Sequence, residues 1–152
     1  MIEAADTPHF RYEDEPGHPG WKRWELRDPT RFNGFLGAIL VRREADVARV
    51  RMVPEHRHSN LRDHVHGGAL LGFVDIALFA GARGLDVITA GPASTVDVSV
   101  QFVAGAAIGE AIEARVELVR ETGRMLFLRG LIVQEDTNIA SFQGVVRKPS
   151  QR

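Results

Sequence analysis

The chain is 152 residues long, enough for one domain that buries most of the surface its unfolded form exposes. Its 44% apolar and 26% charged residues are ordinary for a globular protein, and a net charge of −1 offers no basic surface for wholesale binding of nucleic acid or an anionic membrane. The absence of cysteine excludes disulfides, thiolate nucleophiles and Cys-ligated zinc, and suits a cytoplasmic protein.

Residues 1–20 carry three prolines, two glycines and five acids with little periodicity, which predicts an arm or loosely packed extension. The first 31 residues show no basic start followed by an apolar core, so no secretory signal is expected. Trp21 to Phe35, with Trp21, Trp24, Phe32 and Phe35, reads as a short helix or cover docked on the core. Residues 1–35 are therefore assigned to an N-terminal extension and cover, 36–148 to the folded domain, and 149–152 to a tail. Ala38–Arg43 and Val47–Val53 read as two strands about a Glu44-Ala45-Asp46 turn, and Pro54–His64 as a polar loop.

Val65 to Ala82 is an apolar run of 18 residues, long enough to suggest a membrane span. Its four glycines, His66 and the central Asp75 oppose that reading, because an ionised group at mid-bilayer is expensive. A helix apolar on all sides is expected in a protein core, here from about Gly68 to Arg83, ending near Gly84. Beyond it the period changes to two. Thr95–Phe102 alternates apolar and polar residues and predicts a strand with one buried face, and Glu110–Arg120 does the same. Glu121-Thr122-Gly123-Arg124 is a hairpin turn into Met125–Gln134, and Glu135–Asn138 turns into a last strand, Ile139–Arg147. The expected architecture is α+β, an antiparallel sheet of about five to six strands wrapped around one long buried helix.

Asp75 is the chemically informative residue. A carboxylate inside an apolar helix is costly unless it is paired, hydrogen-bonded or catalytic. Nine residues upstream, His66-Gly67-Gly68 would place free backbone N–H groups at a helix start, where they can hold a negative oxygen. An oxyanion-binding helix start beside one acid or base suits acyl transfer. The bland accounts stay open: a structurally bonded Asp75, a merely tight Gly67-Gly68 turn, an Asn60 that only shapes its loop, a Thr95 that is an ordinary strand residue.

In its order of elements and in Asn60, His66, Gly67, Gly68 and Asp75, the chain resembles the hotdog-fold thioesterases of the phenylacetate-pathway, PaaI-like branch. The resemblance covers roughly Gly37 to Lys148. One departure is Asp63, which stands where that family usually has Gly; Asp is among the few residues that tolerate a left-handed backbone there. The resemblance implies a hotdog fold, hydrolysis of an acyl-CoA with no cofactor, and active sites shared between subunits of a dimer or dimer of dimers. Helix geometry agrees, since Gly67 and Asp75 lie about 12 Å apart along one helix and one carbonyl cannot easily meet both.

The chemistry assigns the carbonyl oxygen to the Gly67 N–H, aided by Asn60. Asp75 activates water, or alternatively attacks as a nucleophile. Thr95 falls where relatives carry a Ser or Thr that places the water, with Ser94 as its substitute; His66 orients the loop. Gly68, Ser94, Arg124, Arg147 and Lys148 are candidate substrate contacts, the last three for coenzyme A phosphates, against the simpler account of solvated strand ends. His56, His58, His64 and His66 cluster with Glu55 and Asp63, but their spacing suits a loop better than a closed tetrahedral shell, so no metal is assigned. Two rivals remain: an acyl-CoA-binding module without catalysis, and a hydratase, which would want a His after Asp75 where the sequence has none.

Overall fold

In a computed structural model, residues 9–88 and 92–149 are described; residues 1–8, 89–91 and 150–152, within the N-terminal extension, the connection after the helix and the tail, lie outside them. The strands are β1 (Phe10–Asp14), β2 (Lys22–Leu26), β3 (Leu40–Glu44), β4 (Val47–Met52), β5 (Ser94–Phe102), β6 (Ile112–Glu121), β7 (Met125–Gln134) and β8 (Thr137–Arg147). The helices are α1 (Phe32–Phe35) and α2 (Gly67–Gly84), with a 3-10 turn at His56–His58. All eight strands form one antiparallel sheet in the order β1-β2-β3-β4-β6-β7-β8-β5. This is the hotdog arrangement, with eight strands instead of the expected five to six.

Helix α2 begins and ends within a residue of its predicted bounds. By length and composition it could cross a membrane, yet 61% of it is buried. It packs on β3, β4, β5, β6 and β8, with Phe73, Val74, Ala77, Leu78 and Ala80 fully buried against Val50, Ile112, Ala114 and Val116. The close approach needs Gly81, where a Cβ would lie 2.8 Å from Val116 Cβ.

The two additional strands correct the expectation of a loose arm where residues 9–20 are described, and add a strand to the segment 21–35, whose expected short helix docked on the core is α1. Strand β1 pairs with β2 along its whole length, and β2 joins β3 through Lys22 opposite Val41 and Arg23 opposite Leu40. Phe10 stacks on Trp24 with ring centroids 4.9 Å apart. Trp21 is buried beneath two guanidinium groups, Arg51 at 4.3 Å and Arg49 at 5.3 Å from its ring centroid. Both arginines bond the Glu113 carboxylate on β6, so hairpin, β4 and β6 are joined on one sheet face. At the far end of α2, the Arg83 guanidinium lies 4.5 Å from the Tyr12 ring centroid. Burial pushes the Tyr12 hydroxyl above its ordinary pKa of 10.0, Arg83 opposing and Asp86 adding to the shift.

Strand β5 also differs from expectation. It lies at the sheet edge, and none of its residues is fully buried within the chain. Val98 and Val100 are half-buried, but Val96 and Phe102 are each 55% exposed. A register shift between Thr95 and Asp97 displaces Val96 from the alternation.

Candidate functional site

Asp75 sits in the third turn of α2, half-buried and facing β5, where its Oδ1 accepts a hydrogen bond from Thr95 Oγ1 at 2.6 Å. Thr95 pairs with the buried Val146 on β8, which keeps its side chain on the inner face of the sheet. Ser94 pairs with Arg147 instead and falls on the opposite face. Of the two hydroxyls considered from sequence, Thr95 is the one that meets the carboxylate.

Helix α2 opens at Gly67, with His66 as its N-cap. The Gly68 N–H donates to His66 Nδ1 at 2.8 Å, so this donor is occupied and is not one of the free N–H groups expected of the turn. The Gly67 N–H has no hydrogen-bond partner among the described residues. The helix dipole favours negative charge just outside Gly67. Phe102, from the end of β5, lies against Gly67, its Cζ 3.7 Å from where a Cβ would be. On the other side of the helix the Phe32 ring of α1 lies against Gly72. Neither ring was assigned to the site from sequence. The available signal was a phenylalanine closing an alternating strand and one beside a Gly in the aromatic segment 32–35.

The loop before α2 is closed by its own bonds. Asn60 Oδ1 accepts from the Arg62 and His64 N–H groups at 2.8 and 3.2 Å, while the Asn60 side-chain amide has no partner among the described residues. Asp63 takes φ +58°, the left-handed conformation that the family's Gly would allow. His58 is buried and is the Nε2–H tautomer: Nδ1 accepts from the Glu55 N–H at 2.9 Å, and Nε2 donates to the Phe35 carbonyl oxygen at 2.7 Å. It braces the loop against α1. An open groove lined by His56, Asn60, Asp63 and His66 runs along the loop surface. Among the described residues no three His, Asp or Glu side chains converge as metal ligands.

The basic candidates come together through strand pairing. Arg147 lies between Ser94 and Met125, and the Lys148 N–H bonds the Arg124 carbonyl oxygen at 2.8 Å. Ser94, Arg124, Arg147 and Lys148 thus share the end of the sheet where Thr95 meets Asp75. Lys148 Nζ is already paired with Glu121 Oε2 at 3.0 Å, whereas Arg124 and Arg147 are exposed.

A family model described as the thioesterase superfamily matches residues 63–141. Among solved structures, the TT0310 protein from Thermus thermophilus is 31% identical, with 81% of this chain and 99% of that one covered and a TM-score of 0.64. A mutant of the phenylacetic acid degradation protein PaaI from the same organism is 28% identical, covering 80% of this chain and 99% of that one at a TM-score of 0.65. A hypothetical thioesterase protein with coenzyme A from Streptococcus pneumoniae is 15% identical, covers 74% and 86%, and has a TM-score of 0.63, a likeness of fold. No curated protein matches the chain.

Proposed function

The chain belongs to the thioesterase superfamily, and we propose that it hydrolyses a small or medium acyl- or aryl-acyl-CoA to the free acid and coenzyme A. The observation that carries the proposal is the Thr95–Asp75 hydrogen bond on a helix that starts with a Gly67 N–H unpartnered among the described residues. Thr95 holds one carboxylate oxygen of Asp75 and leaves the other to accept a proton from water. That water attacks the thioester carbon, and the carbonyl oxygen becomes an oxyanion stabilised by the Gly67 N–H and the free amide of Asn60. Collapse of the tetrahedral intermediate breaks the C–S bond, and the proton held by Asp75 passes to the coenzyme A sulfur. Direct attack by Asp75 would give an anhydride instead. Label entering Asp75 in a single turnover in isotopically labelled water would mark an anhydride opened at the aspartyl carbonyl, since general-base attack by water leaves all of the label in the product acid. Trapping the acyl-enzyme with hydroxylamine detects an anhydride opened at the acyl carbonyl.

The site is assembled from two chains in this reading. Gly67 and Asp75 lie about 12 Å apart along α2, and an antiparallel second copy brings Gly67 of one chain to Asp75 of the other. The open edge of β5, with exposed Val96 and Phe102, supports a homo-oligomer joined there. Arg124 and Arg147 are proposed to meet coenzyme A phosphates, in a protein working in the cytoplasm. Release of free thiol from a panel of acyl-CoAs tests the activity. Binding without release would leave the chain as an acyl-CoA-binding module.

A further inference from the structure

An exposed stripe of α2 runs between two aromatic rings. At 3.6 residues per turn, Gly72 lies about 60° to one side of Asp75 on the helix and Gly67 about 80° to the other. Phe32 covers the Gly72 side and Phe102 the Gly67 side. Between them α2 presents Leu71, 45% exposed, and the half-buried Asp75. The result is an apolar trough with one acid on its floor.

Gly72 sets the position of the Phe32 ring: a Cβ there would lie 3.0 Å from Phe32 Cζ, tighter than side chains tolerate without shifting. Phe32 is backed by two further rings. Its ring packs on Phe35 at 6.5 Å, and Phe35 meets the edge of the buried His58 ring at 4.9 Å. Yet Phe32 itself is 61% exposed, so its ring is open to contact from outside.

We infer that Phe32 is the specificity-determining residue of this site, closing the trough at α1 and restricting it to short or aryl acyl groups. The inference rests on the thioesterase reading above. Gly72 is about 4.5 Å from Asp75 along the helix, so an acyl chain running from a carbonyl at Asp75 towards α1 meets the ring within a few carbons. A planar aryl group can stack on that ring; a long flexible chain cannot pass it.

The test compares the native protein with Phe32→Ala and Phe32→Leu over a straight-chain acyl-CoA series and an aryl-acetyl-CoA. Two quantities are measured: kcat/KM, and Kd for non-hydrolysable thioether analogues of the same acyl groups. Each newly buried methylene favours the longer chain about fourfold. Opening the space of the ring to three methylenes raises the long-to-short ratio roughly 50-fold in Phe32→Ala, less in Phe32→Leu, while the aryl substrate weakens. A merely structural loss would lower every substrate alike and leave that ratio unmoved. An unchanged ratio in both measurements overturns the inference, as does failure of the thioethers to bind. If no thioester is cleaved but the thioethers bind, the hydrolase reading fails and the Kd series alone decides the role of Phe32. If Phe32→Ala does not fold, the Phe32→Leu ratio decides.

Discussion

The Asp75 carboxylate has one oxygen held by Thr95 and is the only ionisable side chain on α2 before Arg83. Asp75→Asn keeps the shape of the group but removes its basicity, and kcat should fall about 10²–10⁴-fold with the thermal midpoint and oligomer retained. Near-native turnover by a folded Asn variant would remove Asp75 from the chemistry. Thr95→Val preserves the side-chain outline and deletes the donor. A hydrogen bond to a charged group contributes about 1.5–3 kcal/mol, so kcat should fall roughly 10–100-fold while KM changes little. At this scale the sequence was informative where a rare residue type met a conformational need or broke an apolar pattern: Asp63 at φ +58° and Asp75 in an apolar helix, whereas the His66 cap that occupies the Gly68 N–H was not foreseen. Nor did the sequence decide between Ser94 and Thr95. That choice depends on the register with β8, which no local pattern encodes.

Strands with a full buried face, β6, β7 and β8, were legible because their apolar residues recur at every second position over ten or eleven residues. Strands β1 and β2 were not. Each has five residues, β2 buries only Trp24 completely, and the rest of the hairpin is held by ion pairs and stacking that leave no apolar period. Glu113 tests how much that polar attachment contributes. Burial alone would raise its pKa, but hydrogen bonds and charge from Arg49 and Arg51 outweigh burial and hold it below its ordinary 4.5. Its folded pKa being depressed, the stabilisation is complete above that ordinary value and is lost as pH falls through the folded one. Glu113→Gln should therefore cost about 1–3 kcal/mol near neutral pH, and the gap from the native protein should close as acidification passes through the lowered folded pKa. Parallel melting curves at several pH values give the answer, and a gap that persists into acid would deny the carboxylate this role.

The β5 edge is open and exposes Val96 and Phe102, and on these surfaces the proposed homo-oligomer rests. Light scattering at micromolar concentration should accordingly find an oligomer. Whether its sites are shared is a separate question, and it is answered by mixing two inactive variants. Asp75→Asn removes the base and Gly67→Pro removes the oxyanion N–H. The second substitution suits the fold: Gly67 is the first helical residue, where proline is favoured, and His66 at φ −61° and ψ 139° already has the extended backbone that a residue before proline requires. A Cβ there meets Phe102 at ordinary contact distance, the nearest atom being 3.7 Å away. If Gly67 of one chain serves Asp75 of the other, each mixed dimer contains one site with both defects and one with neither. Equal mixing makes half of the dimers mixed, and each has half of its sites intact, so about a quarter of native activity should return. If each site used Gly67 and Asp75 of the same chain, every site would carry one defect or the other, and the mixture would stay at the average of the two variants. Activity held at that average after confirmed subunit exchange would reject the shared site, whereas recovery towards a quarter is what the separation of about 12 Å between the two residues along α2 requires.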